Sequence, residues 1–528
     1  MATTTKTSKS AKGLAGRRSS AGTTNLSPLK TESVGDFATR AMYIYGSEVN
    51  EDRAIPSYQD GLKPVQRRLL WAASRVAMTK QKSALPVSEA MGRFHPHGDV
   101  GIYGALVNMV NNNVPIVTGL GGWGSLIDPP SAMRYTNCLL SKFGAEFIRK
   151  EYLAVTPRVP NYDSTMTEPL YLPALLPNIF VNPSSGIGVG VRSDIPAYTP
   201  KSLITMCVRV LNNEKLTPAD WAKGLEFHEP WGGKLLRTKV NMAALRSFYE
   251  TGNGSISFYA PVSLDETKKQ IAIKYFVPGV RIESSDKKRN EKTATGNGKG
   301  AEQGLGLIDK IRRIAQVENV YTDGGLSYVV QIRRTTNMNE CELLLKRIQT
   351  MLTAKQSFNV FTTVRKPAAE ESYAVKFFNV AVPEVLVMWL KFRIKLEVDS
   401  LNWRIGEQEA AIAYTELLIL VCSGLDKLIE ILKRRLKDKD ELRLAIQKAY
   451  KITSEQAKMV MVLQVHQLSR VDLDQQQLKL KEQQAELKSL QRDVKRPVHV
   501  VRTYLEAMAD RFVLFNETNP QQQQWVLK

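Results

Sequence analysis

An arginine and a tyrosine, Arg134–Tyr135, stand between a glycine-rich run, TGLGGWGS (118–125), and an apolar stretch. A tyrosine in that setting has three readings: a buried core ring, a platform on which bases stack, or a nucleophile. The third has definite chemistry behind it. A phenol attacking a DNA phosphodiester keeps the energy of the broken bond in a phosphotyrosyl ester. With a pKa of about 10 it is also a far better leaving group than an alkoxide when the strand is rejoined. Such a reaction needs cations around the phosphate to offset charge on its non-bridging oxygens. Arg134 is adjacent. His95 and His97 in FHPHGD (94–99), and Lys63, Arg67 and Arg68 in DGLKPVQRR (60–68), add donors and charge if the fold converges them. Each also has a plainer reading. An Arg-Tyr pair is commonly a surface feature, KPVQRR on a helix is commonly a solvated face, and the two histidines have no third metal ligand near them in sequence.

The elements that must position these groups are embedded in a basic chain. Lys and Arg total 73 against 52 Asp and Glu, a net charge of +21 over 528 residues. That excess points to a polyanion partner, because each phosphate contact releases counterions. The length suits several domains, and no apolar run approaches the roughly 20 residues of a membrane helix, so a soluble protein is expected. The four cysteines (138, 207, 341, 422) show no C-x-x-C spacing and read as free thiols in a reducing compartment. Residues 1–30 carry six basic residues and no acid among Ser, Thr, Gly and Ala. They read as a disordered DNA-binding arm, with an organellar targeting peptide as the alternative.

Along the chain, 61–77 places Leu62, Val65, Leu69, Leu70 and Ala73 at helical spacing, with Pro64 tolerable only near the helix start. A second helix near 87–93 leads into FHPHGD, where Gly98 turns and Asp99 can N-cap the helix VGIYGALVNMVNN. Helix, tight turn, helix is the pattern of a helix-turn-helix. GSISFYAPV (254–262), KQIAIKYFV (269–277) and LSYVVQIRR (326–334) read as strands, and the polar stretch 284–304 as a loop without a P-loop motif. A long helix runs over about 383–422, then a short helical insert to about 471. Leu473, Leu480, Leu487 and Val494 follow at seven-residue spacing, as one strand of a coiled coil whose partner is the earlier long helix. The tail NPQQQQWVLK reads as disordered.

Four ordered motifs, RAIPSYQDGLKPVQRRLLWA (53–72), FHPHGD (94–99), GLGGWGSLIDPPSAMRYT (119–136) and LLPNIFVNPSSGIGVGV (175–191), resemble the breakage-reunion subunit of type IIA DNA topoisomerases, the gyrase A and topoisomerase IV A type. The resemblance implies that Tyr135 is the nucleophile, leaving a 5′-phosphotyrosyl link, with Arg134 stabilising the transition state. It puts Arg53, His95 and His97 near the scissile phosphate, and Lys63, Gln66, Arg67 and Arg68 at backbone-binding positions. Ile187 matches an isoleucine that wedges between base pairs, which costs a few kcal/mol of unstacking and bends the duplex. The chain departs from the family pattern at Gln66, where a histidine is usual, and at Pro183, where a glycine is usual. Val100 and Gly104 stand where a serine and an acid usually anchor quinolone drugs.

The fold class implied is α+β and multidomain. A basic arm spans 1–33, and a helix-turn-helix (winged-helix) DNA-binding domain with the tyrosine spans 34–165. A β-rich tower domain follows at 166–366, then a long antiparallel coiled coil with a small helical tip (about 423–471) over 367–510, and a tail at 511–528. No ATP-binding motif occurs. The D-x-D at Asp472–Asp474 opens a coiled-coil helix rather than a TOPRIM strand. Mg²⁺ and ATP are therefore expected on a TOPRIM/ATPase partner, with double-stranded DNA as substrate, a homodimer as the working form and a cytoplasmic, DNA-associated location. Without a gyrase-type wrapping domain, relaxation or decatenation is expected rather than negative supercoiling. A compact cleavage chain split from its partners in this way is also similar to phage-type topoisomerases. The competing classes are an architectural DNA-binding protein of the same fold that has lost cleavage, and a tyrosine recombinase, which would carry its tyrosine near the C-terminus.

Overall fold

The computed structural model describes residues 33–124, 128–228, 232–277, 280, 282, 306–322, 327–368, 373–434, 438–462, 473–515 and 524–528. The basic arm, the polar stretch 284–304 and Asp472 lie outside the described residues. Residues up to Ser47 and residues from Glu48 onward form two units. In the first, helix α1 (Val34–Val49) starts where the Asp36 N–H donates to Ser33 Oγ at 3.0 Å, and its apolar side chains Phe37, Tyr43 and Ile44 are exposed.

In the second unit, α2 (Pro64–Val76) begins on Pro64, whose missing N–H is one a helix start leaves unpaired anyway. Its predicted stripe is buried at Leu69, Leu70 and Ala73, with Leu62 buried just ahead of it and Val65 half-buried. Strand β1 (Gln81–Lys82), α3 (Ala84–Arg93), α4 (Asp99–Val110), β2 (Val117–Leu120) and β3 (Asn137–Leu140) follow. The strands form a three-stranded antiparallel sheet in the order β1-β3-β2, with Cys138 opposite both Gln81 and Gly119. The N-cap of α4 is Gly98, not Asp99, which is instead the first helical residue, with its carboxylate on the positive end of the helix.

Two hairpins come next, β4 (Arg158–Pro160) with β5 (Thr167–Pro169) and β6 (Ser184–Ile187) with β7 (Arg192–Ile195). The second belongs to a five-stranded sheet that continues through Thr353–Asn359, Asn253–Tyr259 and Lys234–Leu235. A separate four-stranded sheet runs Val262–Asp265, Gln270–Ile273, Tyr328–Ile332, Val317–Thr322, so the three predicted strand regions are strands.

Helix Val382–Ser423 has 42 residues, about 63 Å at 1.5 Å per residue. At its root the fully buried Arg393 donates to Glu397 Oε2 at 2.7 Å, and Tyr152 Oη donates to the same oxygen at 2.8 Å. Further out it lies alongside Leu473–Val494 in antiparallel sense. Gln408 donates to the Gln483 carbonyl, and Arg404 faces Glu486 at 3.8 Å. The helices Leu425–Lys433, Lys439–Tyr450 and Ser454–Val462 close the far end around their own small core, which includes Leu428, Ile431, Ile446 and Val460.

The C-terminal segment overturns one expectation for the described part of the tail, residues 524–528, while residues 516–523 lie outside the described residues. Phe512–Phe515 and Gln524–Leu527 pair as an antiparallel hairpin, and Phe512 and Leu527 are buried in the main core. The glutamine-rich sequence reads as solvated, but its last residues are held by partners far along the chain. Trp525 N–H donates to the Asn113 carbonyl, and Gln524 Nε2 donates to the carbonyls of Val110 and Asn112. Among the described residues no helix is long and apolar enough to cross a membrane.

Candidate active site

Tyr135 sits in a turn immediately before β3 and is 66% exposed. Its N–H donates to the Ala132 carbonyl at 2.9 Å, and the Arg134 guanidinium lies 4.7 Å from the centre of its ring. The turn is held from below rather than by its own side chains. Thr136 is fully buried, its hydroxyl donates to Ser83 Oγ at 2.9 Å, and its carbonyl accepts the Ser83 N–H. Tyr103 from α4 also reaches over, bonding the Thr136 hydroxyl and the Ser131 carbonyl. The glycine-rich run closes the other side, with the Ser131 N–H on the Gly122 carbonyl and Asn111 on the Trp123 carbonyl. The phenol is thus presented to solvent on a pinned backbone.

A second cluster forms around α2. Asp60 is fully buried and works as a hub. It accepts from Arg67 Nε and Nη2, at 2.5 and 3.0 Å, and from the N–H groups of Leu62 and Leu172. Gly61 must follow it, since φ is +66° there and a Cβ would meet Ile179 N at 2.3 Å. Arg67, expected at a backbone-binding position, is buried against this hub. It is 4% exposed and both edges of its guanidinium face Asp60 and the Leu62 carbonyl. Gln66 is half-buried, its Oε1 accepting the Lys63 N–H to cap α2. Arg68 is half-buried and grips Glu168, with its Nη1 3.3 Å from His95 Nδ1. His95 is buried and stacks on the exposed His97 at 4.2 Å between ring centres. Burial first, then His97 and Arg68, push the His95 pKa down to about 4, with Asp52 opposing.

The third part is the β6–β7 hairpin, which carries Ile187 at 81% exposure near its tip. Asn50 clamps the tip, donating to the Val189 carbonyl and accepting the Val189 N–H. Lys63 Nζ donates to the Ser185 carbonyl, and its own pKa is lowered by burial, with Asp194 opposing. Gly186 has no room for a Cβ, which would lie 2.1 Å from the Ala54 carbonyl. These contacts join the hairpin to the Asn50–Ala54 turn, where Arg53 is exposed. An open cleft of about 520 Å³ lies beside this hairpin, lined by Lys63, Gln66, Asn108, Trp123 and Ser185.

The chain thus brings Arg134 to Tyr135, Arg68 and His97 to His95, and Lys63 to the Ile187 hairpin. Among the described residues no hydrogen bond, ion pair or ring contact joins Tyr135 to Arg53, Lys63, His95 or His97. Asn50, Glu168 and Arg365 escaped the sequence reading. Arg365 Nη2 donates to the Glu51 carbonyl and holds the Arg53 turn from a strand over 300 residues away. Glu168 is an isolated acid 100 residues from Arg68, and no local pattern marks it. Only the Asn50 position, just ahead of the first motif, lay close to a signal.

The family model for the A subunits of DNA gyrase and topoisomerase IV matches residues 53–508. The chain is 26% identical to the DNA gyrase A subunit of Kosmotoga olearia over 509 residues, 91% of this chain and 58% of that one. It is 28% identical to the DNA topoisomerase 4 A subunit of Escherichia coli over 83% of this chain and 56% of the relative. The A subunit of Haemophilus influenzae DNA topoisomerase 4 is 29% identical over 86% and 57%. The chain therefore spans little more than half the length of these relatives. With the matched span running from the Arg53 turn through the tyrosine to the last long helix, the chain belongs to the family of DNA gyrase and topoisomerase IV A subunits.

Proposed function

We propose that this chain is the cleaving and rejoining subunit of an ATP-dependent type IIA topoisomerase. The observation that carries the reading is the exposed phenol of Tyr135 on a rigid turn, with a guanidinium 4.7 Å from its ring. Tyr135 Oη attacks a DNA phosphorus, the new P–O bond forms to tyrosine, and the bond to O3′ breaks. The phenol proton is lost to solvent and O3′ gains one. Resealing reverses each change, which is energetically close to neutral because one phosphate ester replaces another. Arg134 offers its cation to the non-bridging oxygens as charge builds there. Arg53 and His97, both exposed, and His95 are the further phosphate-facing groups, and Ile187 is the base-pair wedge. The α2–α4 and three-strand assembly acts as the winged-helix reader, the two central sheets as the tower, and the antiparallel helix pair as a coiled coil ending in a dimer-forming tip.

Two copies cut opposite strands of one duplex, and a second duplex passes through for relaxation or decatenation. Mg²⁺ and ATP belong to a TOPRIM/ATPase partner in this reading. Among the described residues no three His, Cys, Asp or Glu side chains come together as a metal site, and no step here passes through one.

The test is covalent trapping on end-labelled duplex DNA with Mg²⁺ and the partner, quenched with detergent. A 5′-linked adduct from the wild type that vanishes in Tyr135→Phe supports the reading. A chain that binds DNA beside an active partner yet yields no adduct is an architectural protein, and a 3′ link would point to recombinase chemistry.

A further inference from the structure

His95 has two ring nitrogens, and the one that carries the proton decides what the ring can offer a phosphate. Its neighbours make that choice. Arg68 Nη1 lies 3.3 Å from His95 Nδ1. A guanidinium has five N–H donors and no acceptor, so Nδ1 must be the bare, accepting nitrogen and a neutral ring carries its proton on Nε2. Arg68 is itself fixed, because its Nε donates to both oxygens of Glu168, at 2.9 and 3.2 Å. Glu168 is 7% exposed, so this carboxylate does not trade partners with water. The ring is held on its face by His97, 15° from parallel, and its backbone N–H is tied to the Ala90 carbonyl at 2.8 Å.

We infer that Glu168 and Arg68 form a positioning pair that locks His95 as a neutral Nε2–H donor, so that His95 gives the scissile phosphate a hydrogen bond and takes no part in proton transfer. Arg68 thereby serves the site through His95 and not as a direct phosphate contact. The inference rests on the cleavage reading above. The electrostatics agree with the geometry. Burial, His97 from the same loop, Arg68 from α2 and Arg53 from the Asn50–Ala54 turn all disfavour the imidazolium, whereas Asp52 favours it. Burial also raises the Glu168 pKa, and the adjacent Arg68 cation works against that rise. The chemistry explains why a neutral donor is useful: a proton-exchanging group beside a phosphotyrosyl ester would make resealing depend on pH, whereas a fixed donor serves both directions equally.

The experiment is a ¹⁵N-histidine titration of the full chain. It contains five histidines, and the His95 signals are identified by their loss in His95→Gln. The expected wild-type result is an Nε2–H tautomer that does not titrate between pH 8 and 5. Arg68→Gln, whose amide is uncharged and can donate or accept, should mix the tautomers and raise the midpoint by about one unit or more toward the ordinary 6.5. Arg68→Lys, still a pure donor, should keep the Nε2–H form, and Glu168→Gln, which loosens Arg68, should mix the tautomers as Arg68→Gln does but less. In parallel, adduct yield should be level from pH 6 to 8 in the wild type and gain an acid limb in Arg68→Gln. An Nδ1–H ring, or a wild-type midpoint near 6.5, overturns the inference. So does an Arg68→Gln chain with unchanged His95 signals whose DNA binding loses the salt dependence of about one phosphate contact. If the wild type shows the expected tautomer yet forms no adduct, the cleavage reading fails and the His95 assignment stands.

Discussion

Three arginines within reach of the same motifs do three different things, and burial decides which. Arg134 is exposed beside the phenol, Arg68 is half-buried between a carboxylate and an imidazole, and Arg67 is sealed against Asp60. Sequence reading groups Arg67 with Arg68 because both follow Lys63 on one helix. It cannot see Asp60 or Glu168 fold in, since nothing local distinguishes a guanidinium that meets water from one that meets a buried acid. Arg134→Ala should therefore cut adduct formation by about 10²–10³-fold while leaving the urea midpoint unchanged. Arg67→Ala should do the reverse, destabilising the chain by about 3–5 kcal/mol because it strands the Asp60 charge. A loss of activity in Arg67→Ala with wild-type stability would reject that division. His95 adds a pH signature. Its folded pKa of about 4 lies below the unfolded value near 6.5, so between those values the unfolded chain binds more protons and stability falls as pH drops. The Tm decline from pH 6.5 to 4.5 should be shallower in His95→Gln than in the wild type, and an identical slope would show that burial of this ring is not linked to folding.

At the scale of elements, the heptad in Leu473–Val494 was legible and incomplete. Leu473, Leu480, Leu487 and Val494 are half-buried as their spacing predicts, and the alternate seam positions Gln476, Gln483 and Leu490 also turn inward. Two glutamines in a seam hide it from any apolar count, which is why sequence reading saw only every seventh residue. Gln483 Oε1 is buried without a hydrogen-bond partner, a cost of about 1–3 kcal/mol for the stranded acceptor. Gln483→Leu should raise the denaturation midpoint by an amount corresponding to about 1 kcal/mol, and a lower midpoint would mean that the amide has a partner in the assembled protein. Helix α4 carries the other prediction. Val100 is 80% exposed and Gly104 has open space beside it, so neither of these two positions offers a hydroxyl or a carboxylate to a quinolone. Val100→Ser with Gly104→Asp should sensitise adduct accumulation to the drug relative to the wild type. A wild-type chain already as sensitive as a bacterial gyrase would refute the argument.

Across the whole molecule, the four motifs identified the family, but not how the distant ends of the chain meet. The C-terminal strand is the clearest case. Gln524 reaches back 414 positions to the Val110 carbonyl, and Leu527 lines the same cleft of about 600 Å³ as Gly119, Gly122 and Trp123. That cleft lies beneath the glycine-rich run that braces the tyrosine turn. A strand that follows the last long helix is thus bonded to the end of α4 and packed beside the loop that carries Tyr135, so the C-terminal segment and the tyrosine turn share a structural tie. Short strands of this kind have no propensity to announce them; their hydrogen bonds exist only once Asn113 and its neighbours are in place. Gln524→Ala removes the donor shared by the Val110 and Asn112 carbonyls and should cost about 1–3 kcal/mol. Leu527→Ala, deleting a side chain 6% exposed, should cost about 2–5 kcal/mol. If the tie supports the loop, both variants should also lower adduct yield at temperatures well below their melting points, and hydrogen exchange should quicken at residues 119–124. Unchanged exchange there, in variants that are measurably less stable, would reduce the strand to a core filler with no hold on the tyrosine.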